Sequence, residues 1–274
     1  MKLHFYKYQG AGNDFVMVDN RTTKIDHHNP LLIKTLCDRR FGVGGDGIMF
    51  LQNCEGYDFE MVYYNSDGQP STMCGNGGRC IVAFAKHLGV IDTETNFLAV
   101  DGPHYAKISE SGDWVSLQII NVDTINRDGD DYVINTGSPH YIQLADDLTH
   151  KDVFADGRSI RNNTTYLTKG INVNFVEPLD EGYFVRTYER GVEDETYACG
   201  TGVTAVALAM AHANQQTGNI TTPIKVLGGN MSINFNYDGA KFTDIFLEGP
   251  AKRVFEGDIE VDLSTGYEAA TQPA

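Results

Sequence analysis

Short runs of alternating apolar and polar residues dominate this chain, and they predict many half-buried β-strands. Glycines and Asn-Asp pairs separate the runs, as expected for turns between strands. The clearest runs lie at residues 15–19, 59–64, 114–119, 171–176, 182–188, 231–237 and 243–247. Such a series of short strands indicates a largely antiparallel sheet.

Three segments have helical rather than strand-like patterns, at residues 30–39, 78–88 and 200–213. The first opens with Pro30 at a tolerated first-turn position, and the second ends at Gly89, a plausible C′ glycine. The last two are apolar almost all round, which indicates burial on every side. We therefore expect an α+β protein in which barrel-like, mostly antiparallel sheets each close around one central apolar helix.

The same short motif precedes both apolar helices. Cys74-Gly75-Asn76-Gly77 and Cys199-Gly200-Thr201-Gly202 are 125 residues apart. The same offset relates three further pairs of segments, residues 12–18 to 137–143, 46–50 to 171–175 and 63–66 to 188–191. Self-similarity at one fixed offset indicates a duplicated unit.

The offset predicts two pseudo-symmetric domains in which the two cysteines are counterparts. We place the first domain at residues 1–125 and the second at 126–256, with a polar, turn-rich boundary at 121–129. The C-terminal segment 257–274 carries a last strand pattern at 259–263, which we expect to return to the first domain.

Composition narrows the class of partner. The net charge of −16 and the pI near 4.7 argue against nucleic acid as a ligand. The N-terminus lacks the apolar core of a signal peptide, and the apolar stretch at 203–213 is too short to span a bilayer. Five cysteines, an odd number, favour reduced thiols in a cytoplasmic protein over a disulfide framework.

Two thiols at helix starts suggest paired acid and base chemistry. Free N–H groups and the positive end of the helix dipole favour thiolate, so we expect the pKa of Cys74 and Cys199 to fall from roughly 8.5 toward neutrality. The N–H groups of Gly75-Asn76 and Gly200-Thr201 could hold a carboxylate between the sulfurs. One thiolate would then remove an α-proton while the opposite thiol protonates the other face. This chemistry needs neither a cofactor nor a metal.

Other polar residues lie at positions that suggest a pocket. His140 could be a satisfied loop histidine, but its counterpart at the 125-residue offset lies in the polar loop 10–15. Glu189 and Arg190 follow a strand pattern, and Asn65 occupies the matching place in the first half. We expect these side chains to face the cleft. The remaining cysteines, Cys37, Cys54 and Cys80, are interpreted as ordinary packed residues.

Taken together, the motifs resemble those of diaminopimelate epimerases, cofactor-independent enzymes of lysine and cell-wall precursor synthesis. The resemblance covers nearly the whole chain and is carried by Gln9-Gly10-Ala11-Gly12-Asn13-Asp14-Phe15, Asn65-Ser66-Asp67-Gly68, Met73-Cys74-Gly75-Asn76-Gly77-Gly78-Arg79-Cys80, Gly137-Ser138-Pro139-His140, Asn172-Val173-Asn174-Phe175, Tyr188-Glu189-Arg190-Gly191 and Ala198-Cys199-Gly200-Thr201-Gly202. It implies interconversion of LL- and meso-2,6-diaminopimelate. It also implies two similar domains, with the active site in the cleft between them, and a homodimer.

The resemblance also implies a role for each matching residue. Cys74 and Cys199 would be the two acid/base thiols, exchanging roles with reaction direction. The backbone of Gly75, Asn76, Gly200 and Thr201 would bind the reacting carboxylate. The other polar groups of the substrate would be bound by Asn13, Asn65, Asn172 and Arg190, with Arg190 clamping the distal carboxylate. Glu189 would bind an ammonium group and, with His140, help to set thiol protonation. Two positions depart from the family pattern. Ser138 stands where Asn is frequent, and Gly47 where Gln is frequent.

Two rival functions remain open. A racemase or epimerase of another amino acid, such as proline, could use the same two thiols. The departures from the family pattern at Ser138 and Gly47 leave this alternative substrate open. A thiol redox or metal-binding protein is disfavoured, because no Cys-x₂-Cys pair is present and the Cys74–Cys80 spacing is unusual for zinc. If the two thiols face each other closely, oxidation should link them and inactivate the protein.

Overall fold

The computed structural model describes residues 1–23, 25–71 and 73–261, and it contains a large sheet with few helices. The expected α+β class is therefore confirmed. In chain order the elements are β1 (Lys2–Gly10), β2 (Asn13–Asp19), α1 (Pro30–Cys37), β3 (Gly47–Gln52), β4 (Glu60–Asn65), α2 (Gly75–His87), β5 (Glu94–Ala99), β6 (Gly102–Ile108), β7 (Trp114–Gln118), β8 (Ile125–Asp128), β9 (Asp131–Asn135), β10 (Pro139–Leu144), α3 (Val153–Arg161), β11 (Asn172–Pro178), β12 (Tyr183–Glu189), β13 (Asp194–Thr196), α4 (Gly200–Ala213), β14 (Gly218–Val226), β15 (Gly229–Tyr237), β16 (Phe242–Pro250) and β17 (Lys252–Glu260).

The strand pairing repeats along the chain. β2 pairs in parallel with β3, placing Phe15 opposite Gly47, and β10 pairs in parallel with β11, placing His140 opposite Asn172. Both members of the second pair lie 125 residues beyond those of the first. The β4–β5 and β12–β14 pairs are also parallel, while the other described pairs are antiparallel. The backbone thus carries the offset seen in the sequence.

Strands surround both long helices. α2 contacts β1, β2, β3, β6 and β7, and α4 contacts β9, β10, β11, β12, β14 and β15. The apolar residues of each helix lie in a separate buried cluster together with those strands. Small helix residues permit this enclosure: a Cβ at Gly77 would lie 2.1 Å from Cε of Met49. An all-round apolar helix is stable here because strands cover every face.

The sheet also connects the two halves of the chain. β7 pairs with β16, and β17 returns to pair with β1, where the Met1 amino group bonds the Val261 carbonyl at 2.5 Å. The expected final strand at 259–263 extends past the described residues, as does the rest of segment 262–274. The division of the chain at residue 125 stays a prediction.

Three local elements differ from expectation. α3 was not predicted; Asp152 caps it by accepting from the Ala155 N–H at 3.0 Å, and only two of its residues are buried, so its pattern is weak. α2 begins at Gly75 rather than at residue 78, because tertiary packing overrides the poor helix propensity of its glycines. The strand β8 occupies part of the expected turn-rich boundary at 121–129.

Candidate active site between two helix starts

Cys74 and Cys199 each occupy the N-cap position of a long buried helix. Their backbones are extended, with φ and ψ of −109° and 127° at Cys74 and −112° and 110° at Cys199. Neither side chain makes a regular N-cap hydrogen bond, although the N–H groups of Asn76, Gly77 and Gly202 lie close enough to lower the pKa of the adjacent thiol. The first-turn N–H groups of both helices are thus available as donors for a ligand.

The two helix starts touch each other. A Cβ at Gly75 would lie 3.5 Å from Cα of Gly200, and a Cβ at Gly200 would lie 3.3 Å from Cα of Gly75. Both would also come within 2.8 Å of Leu247 Cδ2. Only glycine allows this approach, so the Cys-Gly motif places two positive helix ends, and the thiols preceding them, around one point.

On the first side, Cys74 bonds the side chain of Asn13. Its thiol donates to Asn13 Oδ1 at 3.7 Å, and the same oxygen accepts from Asn76 Nδ2 at 3.4 Å. Asn13 Nδ2 in turn donates to the Asp46 carboxylate, which Arg39 also binds at 2.8 Å. Ion pairs and hydrogen bonds from the β1–β3 region thus hold the Asn13 amide against the first sulfur.

On the second side, Cys199 lies at the end of a buried hydrogen-bond chain. Its Sγ is 3.6 Å from Thr201 Oγ1, which is 2.9 Å from His140 Nε2. His140 Nδ1 lies 3.2 Å from Asn174 Nδ2. The Asn174 amide orientation is fixed, because its oxygen accepts from Thr187 at 3.0 Å and its nitrogen donates to the Tyr141 carbonyl at 2.9 Å.

This chain assigns the protonation state of His140. Because Asn174 donates to Nδ1, the ring proton is on Nε2 and is donated to Thr201. The Thr201 hydroxyl proton is then free to point at Cys199. Burial, with a smaller effect of Arg190, lowers the pKa of His140 to about 3, so the ring is neutral at physiological pH. His140 therefore orients a hydroxyl at the thiol rather than supplying a charge.

The expected lowering of the thiol pKa is wrong for this site. Burial raises the pKa of both Cys74 and Cys199, and the nearby Glu189 carboxylate raises both further. The N–H groups at both helix starts, and the Thr201 hydroxyl beside Cys199, lower the thiol pKa without overcoming these effects. In a closed site the loss of hydration outweighs the helix-end dipole, so the thiols hold their protons more firmly than exposed ones.

Glu189 lies where the two halves meet. It is half-buried at the end of β12, and burial raises its pKa, with a further contribution from Asp46 and opposition from the Thr196 hydroxyl. Its charge also raises the pKa of Tyr63, after larger effects of burial, Cys74 and Asp46. Glu189 is thus electrostatically close to both thiols, as the sequence suggested. With Asp46 nearby, the Glu189 carboxylate makes its own part of the site favourable for a cationic group.

Asn172, Arg190 and Ser138 form one hydrogen-bonded group. Asn172 Nδ2 donates to Ser138 Oγ at 2.9 Å and its Oδ1 accepts from the Arg190 N–H at 2.9 Å, while the Arg190 guanidinium reaches Ser138 at 3.3 Å. The short Ser138 side chain therefore bridges the two expected substrate-binding residues. The Arg190 side chain is exposed and close enough to His140 to affect its pKa.

Tyr63 explains why residue 47 is glycine. A Cβ at Gly47 would lie 2.5 Å from Cε2 of Tyr63 and 3.2 Å from its hydroxyl. The ring occupies the space that a longer side chain at residue 47 would need. Asn65 lies opposite Gly47 on β4 and is half-buried; its main-chain N–H donates to the Gln69 carbonyl, and its carbonyl accepts from the Gly68 N–H. Its expected role stays a prediction.

Sequence reasoning missed four residues of the site: Arg79, Tyr63, Asp46 and Asn174. Arg79 lies inside the first cysteine motif, and Asn174 is two residues from Asn172, on the same face of β11. The strand period of two could therefore have identified Asn174. Nothing in the sequence pattern points to Tyr63, whose position beside Gly47 depends on strand pairing.

All five cysteines are free. No group of three or more His, Cys, Asp or Glu side chains in the described part of the chain is arranged to hold a metal, and none of the helices there is long and apolar enough to cross a membrane. Two surface cavities of about 480 and 550 Å³ lie away from the cysteines, beside Met1 and Glu260 and beside Tyr8 and Arg253.

The sequence matches a family model described as diaminopimelate epimerase in two consecutive segments, residues 5–124 and 132–254. It is 52% identical over 260 residues to a diaminopimelate epimerase of Flavobacterium psychrophilum, covering 94% of this chain and 100% of the relative. The diaminopimelate epimerase of Aquifex aeolicus is 36% identical, with 95% of this chain and 99% of that protein covered.

Solved structures of lower identity share the fold. A PhzF-family phenazine biosynthesis protein from Bacillus anthracis superposes with a TM-score of 0.73 at 13% identity, covering 95% of this chain and 100% of that one. A probable proline racemase from Agrobacterium radiobacter K84 gives a TM-score of 0.65 at 14% identity, covering 95% and 93%. At these identities the likeness concerns the fold alone.

Proposed function

Because the chain belongs to the diaminopimelate epimerase family, we propose that it interconverts LL- and meso-2,6-diaminopimelate without a cofactor. One structural observation supports a two-thiol reaction at this site. Cys74 and Cys199 cap two helices whose first residues, Gly75 and Gly200, are in contact. That arrangement fits a reaction in which one carbon is deprotonated on one face and protonated on the other.

The substrate α-carboxylate would accept hydrogen bonds from the N–H groups of both helix starts, at Gly75-Asn76 and Gly200-Thr201. Backbone donors suit Asn76 in particular, because its side chain already donates to the Ala198 carbonyl at 2.8 Å. The bound carboxylate would hold the α-carbon between the two sulfurs. The same N–H groups would stabilise the negative charge that develops when the α-proton leaves.

In the proton transfer, one cysteine as thiolate takes the α-proton and becomes a thiol. The opposite cysteine, as a thiol, gives its proton to the other face and becomes a thiolate. The carbon ends with inverted configuration, and the proton count of the pair is unchanged. Cys74 would exchange its proton near the Asn13 amide, and Cys199 near the Thr201 hydroxyl that His140 orients.

The far end of the substrate would bind the polar residues around β11 and β12. Arg190 would clamp the distal carboxylate, because Asn172 accepts from its backbone N–H and Ser138 accepts from its guanidinium. Glu189 would bind an ammonium group, which suits its position in a negatively charged region. We place Asn13 and Asn65 on the remaining polar groups of the substrate.

Deuterium exchange tests the proposal. Purified protein incubated in D₂O should exchange the α-hydrogen of LL- and meso-diaminopimelate, followed by NMR, and should not exchange that of proline. The proline alternative shares the fold at 14% identity, whereas relatives named diaminopimelate epimerase reach 52%. Exchange of proline or another amino acid, with none of diaminopimelate, would refute the assignment.

We also propose that the two halves act as domains around this cleft, and that the protein is a cytoplasmic homodimer. The exposed Val254 and Phe255 on β17, a strand that among the described residues pairs only with β1, offer an apolar surface for a second copy. Light scattering of the purified protein should give about twice the chain mass of 30.2 kDa. Replacing both residues with Ser should then yield monomer.

A further inference from the structure

Arg79 is a buried cation beneath the site. It is the fifth residue of α2 and is completely inaccessible to solvent. Its side chain points back toward the helix start, as helical side chains do. One terminal nitrogen donates to the Gly75 carbonyl at 3.3 Å, the other to Asn76 Oδ1 at 2.9 Å, and Nε reaches the Pro250 carbonyl at 3.5 Å.

All of these partners are neutral oxygens. No carboxylate in the described residues lies within ion-pair distance of Arg79. Burial lowers the pKa of Arg79 only to about 10, so the guanidinium remains charged at neutral pH. A buried charge without a counter-ion is strongly unfavourable, so an anion that binds or forms beside Arg79 would be strongly favoured.

The guanidinium contacts the Cys74 segment directly and is linked to the Cys199 segment through the Asn76 side chain. Its hydrogen bond to Asn76 Oδ1 fixes the amide, so that Nδ2 faces the Ala198 carbonyl at 2.8 Å and Asn13 Oδ1 at 3.4 Å. Ala198 immediately precedes Cys199, and Asn13 bonds the Cys74 thiol. Gly249 allows β16 to lie over the guanidinium, since a Cβ there would be 3.2 Å from Nε.

We propose that Arg79 is a positioning residue whose buried positive charge stabilises the thiolate and bound-carboxylate state, and whose bond to Asn76 keeps both cysteine segments aligned. The consequence for two-thiol chemistry rests on the proposed function. The effect on the thiols themselves does not, because it concerns the protein without substrate.

Other titratable groups also affect the pKa of the Cys74 thiol, in addition to the Arg79 guanidinium. Glu189 from β12 opposes thiolate formation, and Arg79 on α2 favours it. Tyr63 from β4, Cys80 on α2 and Cys199 across the site complete the titratable groups that face it. The variants below leave all of these unchanged, so a shift reports the guanidinium alone.

The test measures the pH dependence of iodoacetamide alkylation at Cys74 by peptide mass spectrometry, in full-length wild type, R79Q and R79K. We expect alkylation at pH 7.5 to be about tenfold slower in R79Q, since a nearby positive charge shifts a thiol pKa by about one unit or more. R79K, which keeps the charge, should stay within about threefold of wild type. Cys54, which lies in a loop and whose thiol donates to the Glu55 carbonyl, is the internal control.

Two outcomes would overturn the proposal: an R79Q profile that superimposes on wild type, or an R79K profile shifted as far as that of R79Q. Thermal unfolding checks that the variants fold. If R79Q does not fold, G249A provides the second variant, because its methyl group would displace the guanidinium. G249A should slow Cys74 alkylation by about twofold, and an unchanged profile would count against the proposal.

Activity separates this inference from the proposed function. With diaminopimelate in D₂O, R79Q should lower kcat by at least about tenfold with a smaller change in KM, and R79K should restore part of it. If the wild type exchanges no diaminopimelate, the proposed function fails while the alkylation contrast still decides the role of Arg79. If exchange is normal but alkylation is unaffected by R79Q, only the Arg79 proposal fails.

Discussion

Cys74 and Cys199 have the same backbone position, the N-cap of a long buried helix, but they bond different side chains. The Cys74 thiol donates to the amide oxygen of Asn13, which an ion-paired carboxylate network holds in place. Cys199 instead lies beside a hydroxyl that His140 orients. The repeat has therefore kept the positions of the thiols while their proton partners have diverged.

This difference separates two properties that the sequence repeat alone combines. Helix starts and strand register fix where the sulfurs lie, and those are the same in both halves. Hydrogen-bond partners determine how readily each sulfur gains or loses a proton. The two thiols are thus equivalent in position and unequal in chemistry, and experiments can test each property separately.

The largest expected effect is the loss of either thiol. C74S and C199S should each lower α-hydrogen inversion by about 10³-fold, because proton transfer by a positioned group contributes roughly 10²–10⁴-fold. C54S, at a cysteine outside the site, should stay within about twofold of wild type. NMR of stereoisomer conversion measures the effect. Substantial inversion by either serine variant would break the paired-thiol interpretation.

Oxidation tests whether the sulfurs face each other. A mild oxidant without substrate should remove most activity, and dithiothreitol should restore it, because closely opposed thiols can form a disulfide. Peptide mapping should find Cys74 linked to Cys199. The contact between Gly75 and Gly200 makes this pairing the expected one. Activity and free-thiol content that both survive the oxidant would contradict it.

A smaller effect distinguishes the two thiol environments. T201V removes the hydroxyl between Cys199 and His140 while keeping the side-chain shape, and we expect activity to fall by about tenfold, the value of one good hydrogen bond. Cys74 alkylation should not change. T221V, on an exposed strand position, controls for valine substitution. Equal effects on both thiols would show that the environments are coupled rather than separate.

The smallest effect concerns stability and pH. The pKa of His140 is about 3 in the folded protein against an ordinary 6.5, so the unfolded chain binds a proton first as pH falls. This contribution to the free energy of unfolding is fully present above pH 6.5 and is lost progressively as the pH falls toward 3. The loss reaches about 2 kcal/mol at pH 5. Urea unfolding at pH 7 and pH 5 should show that H140Q loses less stability than wild type.

The exposed-site variant H150Q serves as the control for that measurement, because His150 is on the surface beside Asp147. It should follow the wild-type dependence between pH 7 and pH 5. If wild type and H140Q lost the same free energy of unfolding between pH 7 and pH 5, His140 would take up a proton in the folded protein. The neutral, hydroxyl-orienting role assigned to His140 would then be wrong.

The sequence by itself determined the features that depend on local pattern and on repetition. Period-two alternation identified the main strands, all-round apolarity identified α2 and α4, and the 125-residue offset paired the cysteines. These signals survive without a structure because they follow from burial and backbone geometry near each residue. The helix α3 was not predicted, since only two of its residues are buried and it lacks the long apolar run of α2 and α4.

Only the tertiary structure decided the electrostatics of the site. The helix-start argument predicted lowered thiol pKa values, yet burial raises them, and burial depends on what the rest of the chain places around Cys74 and Cys199. Likewise, Tyr63 over Gly47 and the unpaired charge of Arg79 arise from strands and helices far apart in sequence. Contacts of this kind have no local sequence signal, because they exist only once distant segments meet.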